Sequence, residues 1–179
     1  MLTVRSLNWP ADRASLLLLD SSFLTDRVYH VGQTNATFTL HSVPITPPLQ
    51  KDYGFAADVD NLPTFDQVIV AERDATIVGI AALKFEAWNQ RANLWHFYIA
   101  PAERGRGLGR RLMNEINQAA RTHGMRCLWL ETQNINDGAI QFYRRVGFQW
   151  CGLDTSLYTA SENAPNEIAL FFVQYLDPK

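Results

Sequence analysis

The chain has 179 residues, enough for one domain with a sizeable core, and its 47% hydrophobic and 12% aromatic content suits an ordered globular protein. Its 16 basic against 18 acidic residues, for a net charge of −2, argue against a nucleic-acid partner. The longest leucine run, residues 16–19, is far too short to span a bilayer, and no leader pattern opens the chain, so a cytoplasmic protein with no membrane partner is expected.

In chain order, residues 3–7 read as a strand. Asn8-Trp9-Pro10 reads as a helix start, with Asn8 as the cap and the helix reaching about Asp20. Residues 27–31 and 37–43 alternate and read as two strands around the turn Gly32-Gln33-Thr34-Asn35. Residues 44–63 hold Pro44, Pro47, Pro48 and Pro63 with Asp52, Asp58 and Asp60, and Asp66 follows; this reads as a long connection of the kind that often carries function. Residues 65–72 and 76–85 form a predicted hairpin about Arg73-Asp74-Ala75, and residues 92–100 a further strand. Leu108, Leu112 and Ile116 recur at helical spacing over residues 108–123, and Gly124 ends that helix. A strand at residues 125–132, a helix at 137–145 closed by Gly147, and strands at 148–153 and 168–176 complete the chain. The order is mixed α/β (α+β), a single domain over residues 1–179. Cys127 and Cys151 read as buried strand thiols and lack the count and spacing of a zinc site, so no metal is expected. Phe172 reads either as core or as a homodimer edge.

Arg104-Gly105-Arg106-Gly107-Leu108-Gly109 lies where a strand hands over to a helix. Glycines let the backbone approach a ligand closely. Amides at a helix start, with the positive end of the dipole, make an anion site. Arg104, Arg106, Arg110 and Arg111 add charge, and a pyrophosphate is the natural guest. A Walker loop requires Gly-Lys-Ser/Thr, whereas Gly109 is followed by Arg110-Arg111-Leu112; a dinucleotide turn requires a different glycine spacing. A solvated chain reversal is the plain alternative for such a turn in isolation.

This hexapeptide resembles the Arg/Gln-x-x-Gly-x-Gly/Ala acetyl-CoA motif of the GNAT superfamily of N-acetyltransferases. Asn136-x-x-Ala139-x-x-Phe142-Tyr143-x-x-x-Gly147-Phe148 resembles the superfamily's second motif. The resemblance implies a GNAT-type acyl-CoA N-acyltransferase fold, a splayed, mixed, mostly antiparallel sheet flanked by helices. It implies acetyl-CoA as co-substrate, with the backbone of Arg104, Gly105, Arg106, Gly107, Leu108, Gly109 and Arg110 on its pyrophosphate. The pantetheine would run along Phe97, Tyr98 and Ile99, and Asn136 would touch it or a bound water. Tyr143 would act as general acid to the CoA sulfur, with helix packing beside Phe142 as its alternative role. A backbone amide at a strand bulge near Ile99 would hold the oxyanion.

Amine acetylation requires that the amine lose a proton and that the leaving thiolate be stabilised. Glu131 ends a predicted strand and would accept that proton or hold a cationic amine. His96 has a side chain that titrates near neutrality, with core packing as its alternative. A water relay would leave no single base. Glu131-Thr132-Gln133-Asn134, residues 152–158, Leu24-Thr25-Asp26-Arg27-Val28-Tyr29 and Trp88-Asn89 resemble streptothricin acetyltransferases, which acetylate the β-lysine amine of a cationic antibiotic. The implied reaction is direct transfer in a ternary complex to a primary amine of a cationic small molecule. Asp58, Asp60, Glu131 and Asp154 are the carboxylates expected to meet that cation, with residues 159–166 completing the wall. A protein N-terminal or lysine acetyltransferase and a silent acyl-CoA-binding sensor are the alternatives.

Overall fold

The computed structural model describes residues 1–159 and 167–176, so most of the expected wall at 159–166 lies outside the described residues. In chain order the elements are β1 (Leu2–Ser6), α1 (Arg13–Leu16), β2 (Phe23–Thr34), β3 (Thr37–Lys51), a 3-10 helix (Phe55–Thr64), β4 (Gln67–Arg73), β5 (Thr76–Glu86), β6 (Arg91–Ile99), a 3-10 turn (Pro101–Glu103), α2 (Leu108–Thr122), β7 (Cys127–Gln133), α3 (Asp137–Arg145), β8 (Gln149–Asp154) and β9 (Ala169–Tyr175). They form two compact units: Met1–Ser22, Asp52–Leu130 and Gln174–Lys179 in the first, Phe23–Lys51 and Glu131–Val173 in the second.

In the first unit β1, β4, β5 and β6 lie side by side in that order, all antiparallel, and β7 joins β6 in parallel. Val68, Ile69, Val70 and Ala71 of β4 are all buried, because both faces of the strand are covered. On one side Val68, Val70, Ile77, Ile80 and Ala82 pack with Leu16 and Leu19 and with Phe55, Val59 and Leu62 of the 3-10 helix. On the other lies α2, which buries Leu108, Leu112, Met113 and Ile116. Gly79 permits that approach: a Cβ there would stand 3.2 Å from Leu112. Burial of this kind stabilises by roughly 25 cal/mol per Å² of apolar surface.

The β6–β7 register covers only Arg91–Leu94 against Cys127–Leu130, although β6 continues to Ile99. Where it stops, Ala82 pairs with His96 and Leu83 with Leu94, leaving Trp95 as an extra residue. A bulge adds twist and interrupts pairing, and it accounts for the splay. The bulge expected near Ile99 stands at Trp95 instead.

In the second unit β2 and β3 form an antiparallel ribbon, β8 pairs antiparallel with β9, and Tyr143 of α3 packs on Phe148 and Phe172 at ring distances of 5.6 and 6.5 Å. Phe172 is therefore core and not a dimer edge. Cys127 is buried as expected, but Cys151 is exposed on β8.

Three local readings are overturned. The helix expected over residues 8–20 shrinks to α1. The Asp12 carboxylate accepts the Asn8 amide at 2.7 Å and two guanidinium bonds from Arg5, so Asn8 is bound into a loop and does not cap the helix. The long connection at residues 44–63 is largely regular, since β3 runs through Pro44, Pro47 and Pro48 to Lys51 and the 3-10 helix takes the rest. In a two-stranded ribbon each strand has an outer edge, where proline forfeits no ladder bond. The turn between β2 and β3 is Asn35-Ala36, later than expected, with Asn35 at φ 51°.

Candidate active site

The glycine turn of the first unit is held from both ends. Before it, Glu103 is buried and takes two bonds from Arg73 of β4, at 2.8 and 2.9 Å. Arg104 folds back: its Nε donates to the Ile99 carbonyl at 2.9 Å and its guanidinium to the Ser22 carbonyl at 2.6 Å. Its side chain thus braces the turn. Gly105 and Gly107 have φ of 75° and 83°, and a Cβ on either would meet nothing within 4 Å. Gly107 is the N-cap of α2; no side chain caps it and no acidic residue lies in the first turn. The first amides of α2, at Leu108, Gly109 and Arg110, have no partner within the helix by construction. Arg106 and Arg110 are exposed beside them. Open space, unclaimed donors and positive charge together fit a diphosphate.

From the turn, β6 leads back to His96. The ring is enclosed by Phe55, Phe65 and Tyr98 at centroid distances of 5.3, 5.2 and 5.8 Å, and its Nδ1 has no hydrogen-bond partner among the described residues. Burial pushes the imidazole below its ordinary pKa, with Asp58 pulling the other way, so His96 is neutral at pH 7. Asp58 is exposed on the 3-10 helix. Its neighbour Asp60 is committed to Arg13, which reaches both oxygens at 2.6 and 2.8 Å. Asp52 accepts from Ser21 and Gly54, and Asp66 from the Phe85 amide, so the acidic segment mainly braces itself against Ser21, Arg13 and β5.

In the second unit β7 delivers Glu131. Burial raises the carboxyl above its ordinary pKa, and the Tyr158 hydroxyl, donating to Oε1 at 2.7 Å, opposes that. Beyond it Asn134 is a hub. Its backbone bonds Tyr29 and Ile168, its Nδ2 donates to the Tyr29 carbonyl, and its Oδ1 accepts from the Ile168 amide. Tyr29 in turn accepts from Gln141 of α3. Asn136 caps α3, accepting from the Ala139 amide at 3.1 Å. Tyr143 is buried on α3, its ring also against Phe142 at 5.6 Å. Asp154 accepts twice from Ser156 and so ties its own turn.

Thus Phe97, Tyr98, Ile99, the glycine turn, His96, Asp58 and Asp60 belong to the first unit, and Glu131, Asn136, Tyr143 and Asp154 to the second. The Arg73–Glu103 clamp, Tyr158 as partner of Glu131 and the hub role of Asn134 were not foreseen. Tyr158 and Asn134 do lie in the segments that resemble streptothricin acetyltransferases, which was the available signal. Among the described residues no group of His, Cys, Asp and Glu could hold a metal ion, and no helix is long and apolar enough to cross a membrane.

The Acetyltransferase (GNAT) family model matches residues 35–148. A streptothricin acetyltransferase of Streptomyces lavendulae is 41% identical over 162 residues, covering 86% of each chain. The crystal structure of nourseothricin acetyltransferase superposes with a TM-score of 0.87 at 36% identity, covering 98% of this chain and 99% of that one. A Bacillus anthracis str. Ames protein solved in complex with acetyl coenzyme A shares the fold, with a TM-score of 0.82 at 23% identity and coverage of 98% and 99%. The chain belongs to the GNAT family and is an acetyl-CoA-dependent N-acetyltransferase.

Proposed function

We propose that the chain acetylates a primary amine of a cationic small molecule of the streptothricin type, by direct attack in a ternary complex. The observation that carries this reading is Glu131. It is a largely buried carboxyl on β7 with one oxygen held by Tyr158, in the segment that resembles streptothricin acetyltransferases. A carboxylate so placed attracts an ammonium group and takes its proton as the amine nitrogen becomes nucleophilic.

Acetyl-CoA, when bound, supplies an acyl group activated as a thioester. The amides from Gly105 to Arg110 are assigned to its pyrophosphate, since the Arg104 amide already donates to the Pro101 carbonyl at 3.3 Å. The backbone of β6 beyond its register with β7, from Phe97 to Ile99, is assigned to the pantetheine, with the Ile99 carbonyl also accepting from Arg104. As the new C–N bond forms and the C–S bond breaks, Glu131 receives the proton from nitrogen, directly or through water, and the Tyr143 hydroxyl donates one to the departing sulfur. His96, enclosed by aromatic rings, is assigned to packing and not to proton transfer.

The test is thiol release from acetyl-CoA by the purified protein against streptothricin, polyamines, aminoglycosides and peptides. Turnover on cationic small molecules is expected. Turnover on peptides alone would reject the reading in favour of a protein acetyltransferase, and acetyl-CoA binding without turnover would leave a silent binder. Tyr143→Phe keeps the ring contacts and is expected to lower kcat about 100-fold, the usual scale for a general acid, and to lower it more than it weakens acetyl-CoA binding.

A further inference from the structure

The face of β7 that carries Glu131 also carries Gln133, because alternate residues of a strand share a face. Gln133 is 5% exposed, and its Oε1 has no hydrogen-bond partner among the described residues. Glu131 is held at Oε1, where the Tyr158 hydroxyl donates at 2.7 Å. A second carboxylate acts on Glu131 from nearby. Glu167, its side chain only 8% exposed, lies 2.5 Å from Lys51 Nζ, and both charges are felt at Glu131. The residue after Glu167 is pinned through both its amide and its carbonyl to Asn134, so Glu167 starts from a fixed backbone. One buried acceptor here lacks a donor among the described residues, and the charges of two carboxylates, Glu131 and Glu167, meet a single ammonium, that of Lys51.

We infer that Gln133 and Glu167 join Glu131 in binding an alkylammonium group of the acceptor, and that Lys51 fills part of that place until the acceptor arrives. This rests on the function proposed above and deepens it. An R–NH3+ group brings three N–H donors and one positive charge, which meets both deficits together. Lys51 presents that same group on a flexible stem, so the chain itself shows which cation Glu167 accepts. Charge-assisted bonds of this kind are the strong ones where water is largely excluded. A neutral amide donor or an anion would leave the second carboxylate uncompensated. The competing explanation is that Lys51–Glu167 is an ion pair serving the fold alone.

The two explanations predict opposite signs. Steady-state kinetics with streptothricin and with 1,5-diaminopentane would be measured for the wild type, Glu167→Gln, Gln133→Leu, Lys51→Met and the double variant Lys51→Met/Glu167→Gln. Glu167→Gln and Gln133→Leu are each expected to raise KM about tenfold or more, the scale of one hydrogen bond to a charged group, with kcat within about threefold. Lys51→Met, which removes the competitor, is expected to lower KM. The double variant leaves no charge unpaired, guards against misfolding of the single variant, and is expected to keep the raised KM. An unchanged KM in the double variant, or a raised KM in Lys51→Met, overturns the inference. Calorimetric titration with 1,5-diaminopentane separates this from the function itself. Binding lost in Glu167→Gln without any transfer by the wild type would reject the proposed function and keep the site.

Discussion

Gly107→Ala adds one methyl group at the N-cap of α2, where the backbone holds φ at 83°. The new Cβ would meet nothing within 4 Å, so the cost to the unliganded protein is conformational and not steric. An L-residue in the left-handed region loses about 1–2 kcal/mol. For a chain of this size each kcal/mol lowers Tm by about 2–4 °C, so a drop of roughly 2–8 °C is expected without ligand. The open volume is the one assigned to the CoA pyrophosphate, so the methyl group should also displace that anion from the helix amides. Losing one charge-assisted bond weakens binding by about tenfold or more. Gly107→Asn separates the two effects, because asparagine enters the left-handed region more readily than alanine. It should recover most of the Tm and little of the affinity. Thermal unfolding without ligand, paired with calorimetric titration of acetyl-CoA, reads both quantities. Wild-type affinity in Gly107→Ala, or recovery of affinity along with stability in Gly107→Asn, would refute the cradle.

Three further outcomes are expected. Burial raises the Glu131 pKa, so the stability it contributes is present below its unfolded value and is lost as pH rises through the folded one. Glu131→Gln should therefore match the wild type in Tm near pH 4 and exceed it near pH 8, while losing activity; parallel Tm curves would contradict the assignment. Asn136→Ala should cost about 1 kcal/mol in urea unfolding and Asn136→Asp much less, because aspartate also accepts at an N-cap. Asp60→Asn should leave the acceptor KM unchanged, since Arg13 already engages that carboxylate, whereas Asp58→Asn should raise it; equal effects would show that the ion pair does not shield Asp60.

Helices α2 and α3 were legible because their signals are local. Apolar spacing, the following Gly124 or Gly147 and the Asn136 cap all lie within a few residues of the elements they define. The same holds for the glycine turn, whose chemistry is carried by its own backbone. Local signals failed where a distant group competed. Asn8 and Pro10 read as a helix start, but Asp12, held by Arg5, claims the Asn8 amide. The prolines of β3 read as a connection because nothing in the sequence says that the ribbon has only two strands.

What the amino-acid order determined by itself is therefore the fold class, the glycine turn before α2 and the presence of a carboxyl on β7. What only the tertiary structure decided is who holds these groups. Glu103 is clamped by Arg73, 30 residues away, and Glu167 by Lys51, 116 residues away. Trp95 becomes a bulge only through its register against β5. Hydrogen bonds and burial depend on separations in space, and a linear pattern has no periodicity that encodes a partner so far along the chain.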